Sequence, residues 1–145
     1  MVSETRDDRI TITGIAEIVL NVRDMAASLA FYRDLLGLTV ISPPAMTSPI
    51  FLKAGAATAE LPAMVVLVQL PSAAPAFATP RSLHHLALAL PAAGFDIAER
   101  VLTQAGFTVR SGKHPVLPSR TMYVNDPDGN EVELIAADEV MSRES

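Results

Sequence analysis

The chain contains no cysteine and no tryptophan. Without thiols it can form neither a disulfide nor a sulfur-ligated metal site, and it has no cysteine nucleophile. Any bound metal must be held by histidine, carboxylate or amide groups. Aromatic residues make up only 5 % of the 145 residues, and 11 Lys and Arg stand against 16 Asp and Glu, for a formal net charge of −5. With no basic cluster and few rings to stack on bases, nucleic acid is not an expected partner. Long apolar runs are missing too, since Pro, Gly or a charged residue interrupts each one before the ~18 to 20 residues needed to span a bilayer. No membrane partner is expected. The first residues, with Glu4, Arg6, Asp7, Asp8 and Arg9 among them, read as a loose tail and not as a signal peptide, which makes a cytoplasmic location the expectation.

Half of the residues are hydrophobic, ample for one domain or for two small modules sharing a core. The most informative stretch runs from Asp126 to Ile135. Pro127 sets φ for a turn, Gly129 and Asn130 tolerate a positive φ, and Val132, Leu134 and Ile135 are strand formers. Glu133 sits in the middle of that apolar strand. A carboxylate there must be ligated, paired or wet, because burying it alone costs several kcal/mol. Arg120 is the candidate partner if its role is structural.

Ile15 to Val22 reads as a strand, with Ile18, Leu20 and Val22 on one face and Glu17, Val19 and Asn21 on the other. Asp24 is an expected N-cap for an amphipathic helix carrying Met25, Leu29, Tyr32 and Leu36, with Gly37 at C′. Strands are expected from Gly37 to Ile41, Ile50 to Lys53 and Ala63 to Leu70. After a Pro/Ala-rich linker the pattern restarts. His85 to Leu90 mirrors Glu17 to Val22 at an offset of 68, and Gly106 to Val109 repeats Gly37 to Val40 at an offset of 69, either side of a helix expected over Asp96 to Ala105. Thr121 to Asn125 and Glu131 to Ala136 supply the last two strands. The duplication divides the chain into a tail (1–12), a βαβββ module (13–71), a linker (72–82), a second βαβββ module (83–137) and a terminal tail (138–145). The expected fold is α+β: two tandem βαβββ modules forming a curved mixed sheet around a concave cleft, with helices on the outer face.

Strand parity then selects the residues of that cleft. If Ile18/Leu20/Val22, Leu86/Leu88/Leu90, Met122/Val124 and Val132/Leu134 lie under the helices, the other face presents Glu17, Asn21, His85, Tyr123, Glu131 and Glu133. Glu17 and His85 occupy matching positions in the two repeats, and Glu133 lies on the last strand of the second. One imidazole and two carboxylates without sulfur suit one divalent ion, Fe(II), Mn(II), Ni(II), Co(II) or Zn(II). His84 has the opposite parity from His85 and reads as an exposed strand-start residue. His114, near Pro115 and Pro118, falls in a loop.

The stretches Glu17 to Asp24, Ser28 to Leu38, His85 to Leu90 and Tyr123 to Leu134, in that order and with the repeat intact, resemble the vicinal oxygen chelate superfamily of glyoxalases, epimerases, fosfomycin and bleomycin resistance proteins and extradiol dioxygenases. The resemblance implies metal ligands at Glu17, His85 and Glu133, a homodimer, and a small-molecule substrate chelated through neighbouring oxygens. Two departures stand out. The first ligand in such relatives is His or Gln where this chain has Glu17, and the fourth ligand of the glyoxalase branch falls on Val66 or Leu67, with Gln69 able to serve only from a shifted strand. Phe51 to Gly55, His84-His85 and Arg120 to Tyr123 lean toward the dioxygenase-like branch, in which Tyr123 resembles a tyrosine beside the substrate. Proton transfer by Glu17 or Glu133 would instead give a lyase or isomerase. A third expectation is a metal-free drug-binding protein of the bleomycin-resistance type.

Overall fold

Each half of the chain builds the same four-stranded sheet, and the computed structural model describes residues 9, 11–78 and 81–138. The expected tails therefore lie largely outside the described residues. In the first half, β1 (Glu17–Val22), β2 (Thr39–Val40), β3 (Ile50–Ala56) and β4 (Pro62–Gln69) assemble in the order β1-β4-β3-β2. In the second, β5 (Leu86–Ala89), β6 (Arg110–Gly112), β7 (Ser119–Asn125) and β8 (Glu131–Ala137) repeat it as β5-β8-β7-β6. The first strand of each half pairs in parallel with the last, and the remaining pairs are antiparallel. The parallel pairs require a crossover, which the helices supply. This is the α+β class with two βαβββ modules.

Helix α1 (Met25–Leu29) starts where Asp24 accepts a hydrogen bond from the Ala27 N–H at 3.1 Å. It continues as a π-helical segment from Ala30 to Leu35, closed by the Leu36 N–H on the Phe31 carbonyl at 2.9 Å. Widening the helix here lets the adjacent Phe31 and Tyr32 both be fully buried. Gly37 and Gly106 end the two helical segments at φ of 78° and 93°, a backbone region that a side chain disfavours. Helix α2 (Phe95–Gln104) buries Phe95 and Leu102.

The helix-facing sides of both sheets share one core. Leu20, Val22, Leu52, Val65 and Leu67 of the first module join Leu86, Met122, Val124, Val132 and Leu134 of the second, with Phe31, Tyr32, Phe95 and Leu102 among them. Phe31 meets Phe107 at 5.3 Å between ring centroids, so α1 is bound to the second module as well as to its own. An apolar hollow of about 280 Å³ remains beside α2, bounded by Leu35, Leu36, Leu88, Ile97, Val101 and Leu134. Because both sheets turn their helix faces inward to this core, their other faces point away from it. Val19 is 53 % exposed as a result.

The second strand of module 2 lies later than expected. Residues 106–109 are spent leaving the helix, with the Phe107 N–H on the Leu102 carbonyl at 3.0 Å and its ring against Phe31. Pairing begins only at Arg110, opposite Tyr123. Among the described residues, no helix is long and apolar enough to cross a membrane.

Candidate functional site

Glu133 occupies the centre of the second sheet, between Ala87 on β5 and Tyr123 on β7. Parity sends it to the face opposite the helices, as the alternation of β8 requires. It is nevertheless only 3 % exposed. Its Oε1 lies 3.1 Å from His85 Nε2, and its Oε2 is buried with no hydrogen-bond partner among the described residues. An ionised carboxylate with one oxygen unsatisfied is a costly group to keep in a sheet. Arg120, the candidate structural partner, turns elsewhere: its guanidinium meets Asp96 at 2.9 Å and lies over the Phe95 ring at 4.2 Å.

Around this pair the outer face of module 2 forms an open hollow of about 270 Å³ lined by His84, His85, Arg110, Ser111, Tyr123 and Glu131. The Tyr123 ring stands edge-on to His85, 6.1 Å between centroids. It lies across Gly112, where an added Cβ would come within 2.0 Å of Tyr123 Cε2, so only glycine leaves the ring its place. Thr121, on the same face of β7, has a buried hydroxyl without a partner among the described residues. Arg110 approaches Glu131 at 3.4 Å and donates to the Asn125 side chain at 2.9 Å. His84, His85 and Glu131 each offer a ligand atom within 4.8 Å of the others, a group able to hold a metal ion.

Of the three residues that parity selected as ligands, His85 and Glu133 meet and Glu17 stands apart. Glu17 is exposed on β1, on the outer face of the other sheet, and does not belong to the His84/His85/Glu131 group. Two alternatives for a fourth ligand are also resolved by register. Ile18 pairs with Val65 as Leu86 pairs with Val132, so Val66 is the counterpart of Glu133 and contributes only methyl groups. Gln69 lies three positions further along β4, roughly 10 Å away at about 3.3 Å per residue. Its amide is already used, accepting from the Met25 N–H at 3.0 Å and donating to the Arg23 carbonyl at 2.8 Å. His114 turns inward on its own loop, accepting from the Val116 and Leu117 N–H groups.

The sequence reading missed the contribution of His84. β5 begins at Leu86, so residues 84 and 85 precede the pleat and alternation does not force their rings apart. The adjacency of two histidines immediately before a strand was the available signal.

The Asp126-to-Asn130 turn, conspicuous in the sequence, is an anchor and not a reactive group. Asp126 accepts from the Asn130 and Asp128 N–H groups, and its Oδ2 receives the Tyr32 hydroxyl at 2.6 Å. Burial first, and then the Asp126 charge, hold the Tyr32 hydroxyl far above its ordinary pKa. It stays protonated and fastens α1 to the second module.

Twin βαβββ modules, with a histidine and a carboxylate paired on the face away from the helices, define a class of small two-module proteins whose sheets carry polar groups on their outer faces. The profile of the Glyoxalase/Bleomycin resistance protein/Dioxygenase superfamily matches residues 14–134, and the chain belongs to that superfamily. It is similar to a glyoxalase/dioxygenase from Nostoc punctiforme, with 25 % identity over 96 % of each chain and a TM-score of 0.67. A lactoylglutathione lyase from Agrobacterium tumefaciens is 24 % identical, with a TM-score of 0.61 over 86 % of this chain and 93 % of its own. A fosfomycin resistance protein from Listeria monocytogenes is 18 % identical, with a TM-score of 0.63 over 90 % of this chain and 98 % of its own. At those identities the last two speak for the fold alone. No curated protein matches the chain in sequence.

Proposed function

We propose that the protein is a divalent-metal-dependent enzyme acting on a small substrate that presents two neighbouring oxygens, with the ion held by His85 and Glu133 and completed by Glu17. The observation that carries this reading is the His85 Nε2–Glu133 Oε1 approach of 3.1 Å beside a buried, unpartnered Oε2. Two ligand atoms about 2.1 Å from one ion, at right angles, are roughly 3 Å apart. The pair is thus spaced for ligation, and an ion would satisfy the carboxylate that the fold leaves short. One imidazole with carboxylates and no sulfur fits Fe(II), Mn(II), Ni(II), Co(II) or Zn(II).

Glu17 reaches this site only from a second chain, because the two outer faces of one chain point apart. A homodimer that sets the first sheet of one protomer against the second sheet of its partner would supply Glu17 and cover the exposed Val19. When bound, the ion supplies Lewis acidity toward adjacent substrate oxygens and, as Fe(II), chemistry with dioxygen. The residues of the chain do the rest. Tyr123, edge-on to His85 and seated against Gly112, orients a ring or diol lying over the site. Arg110 places positive charge at the rim of the hollow.

The lead reading is extradiol-dioxygenase-like, with Tyr123 beside the substrate. A lyase or isomerase working by proton transfer, with Glu17 or Glu133 as the carboxylate that moves the proton, is the second. Oxygen uptake with catechols on Fe(II)-loaded protein supports the first. Solvent deuterium entering an α-hydroxy carbonyl compound on Mn(II)- or Ni(II)-loaded protein, without oxygen uptake, supports the second. Failure to bind any of the five ions at neutral pH would overturn both and leave the drug-binding reading.

A further inference from the structure

His84 and His85 face each other through their Nδ1 atoms at 2.8 Å, with ring centroids 5.0 Å apart and planes at 71°. Two imidazole nitrogens at that separation share a proton, since two facing lone pairs repel. His85 is therefore engaged at both nitrogens, Nε2 toward Glu133 and Nδ1 toward His84. A neutral imidazole carries one proton, so when one nitrogen serves as ligand the other is the N–H and needs an acceptor. With Nε2 beside Glu133 as the ligand atom, the acceptor must sit at Nδ1. His84 Nδ1 is the atom found there.

We infer that His84 is a positioning residue of the metal centre: once an ion takes the place of the Nε2 proton that otherwise faces Glu133, His84 Nδ1 accepts the Nδ1–H of His85, which supports the tautomer that ligation through Nε2 requires and holds the ring toward Glu133. The inference rests on the reading that His85 binds the ion through Nε2. The Glu131 carboxylate lies within 4.8 Å of both histidines' ligand atoms and closes the polar rim around the pair. Arg110, 3.4 Å from Glu131, holds that carboxylate in place. His84 itself is exposed and outside the shared core, so its contact with His85 is a matter of hydrogen bonding and not of burial.

The test compares affinity for Mn(II) and Zn(II), by competition with a chelating dye, in the unmodified protein, His84→Leu and His84→Asn. Asparagine places Oδ1 close to where His84 has Nδ1, and leucine offers no acceptor. Leucine is expected to weaken binding about 10- to 100-fold, the range seen when an outer-shell partner of a ligand histidine is removed. Asparagine is expected to recover most of that loss, with thermal unfolding unchanged in both variants. Nitrogen NMR of the Zn(II)-loaded protein is expected to find the His85 proton on Nδ1. Equal affinity in His84→Leu, or a His84→Asn as weak as His84→Leu with His84 nitrogens shifted by the ion, would overturn the assignment, the latter by making His84 a ligand. A wild-type chain that binds neither ion would instead overturn the metal reading, and the assignment with it.

Discussion

Glu133 sets a conflict between stability and chemistry that a single substitution exposes. A buried carboxylate with one unsatisfied oxygen weakens the sheet by about 1–3 kcal/mol, and because His85 is partly exposed and water can take over its contact, replacing Glu133 by an apolar residue of similar volume is expected to stabilise the fold by a similar amount. Glu133→Met is therefore expected to raise the urea midpoint while removing metal binding. A purely structural His85–Glu133 pair would give the reverse, because losing it would strand His85. Glu133 was legible in the sequence because a charged residue inside an apolar strand has few explanations. His84 was not, because parity was applied where the chain had not yet become a strand. Arg120 and Gln69 show a related limit. Both are plausible partners by sequence position, and both are committed elsewhere, to Asp96 and to the backbone around Arg23.

Among the elements, α1 with its π-helical extension ties the modules together, and Tyr32 is the point of attachment. Tyr32→Phe is expected to cost about 1–3 kcal/mol at neutral pH, since it removes the hydroxyl that a buried Asp126 oxygen accepts from. The pH dependence follows from the raised pKa. In the unfolded chain Tyr32 ionises near its ordinary value of about 10, while in the folded protein it remains protonated. Its contribution is thus fully present below that pH and declines as pH rises through it. Urea titrations at pH 7 and pH 10.5 are expected to show a smaller alkaline loss in Tyr32→Phe than in wild type. An identical loss in both would remove Tyr32 from the account.

β6 makes a second test at this scale. Gly112→Ala places a Cβ where the Tyr123 ring lies, and is expected to destabilise by about 1–3 kcal/mol through overpacking. Combining it with Tyr123→Ala is expected to recover part of that loss, the remainder coming from Thr121 Oγ1 at 2.7 Å from the added Cβ, and additive effects would contradict the Tyr123 contact. The duplicated strands and helices were legible because hydrophobic period and the two C′ glycines recur. β6 was hidden because Arg110-Ser111-Gly112 has no apolar alternation, and the π-helix because a change in hydrogen-bond register leaves no mark on composition.

For the whole molecule, the shared core is the arrangement that sequence could not supply. Parity sends Glu17 and Glu133, which lie within β1 and β8, to faces away from the helices, but it says nothing of how two such faces are disposed in space. In one chain they point apart, so the proposed site needs a partner. Light scattering is expected to give a dimer mass. Mixing Glu17→Gln chains with His85→Ala chains is expected to regenerate one intact site per mixed dimer, and so restore metal binding absent from either variant alone. Failure to restore it would place Glu17 outside the site.

The most direct measurement is an anomalous difference map from crystals grown with Mn(II) and recorded where manganese scatters anomalously. The account predicts one peak per chain between His85 Nε2 and the Glu133 carboxylate, with Glu17 of the partner subunit beside it. A map with no peak there, or a peak elsewhere with His85 and Glu133 still bonded only to each other, would contradict it.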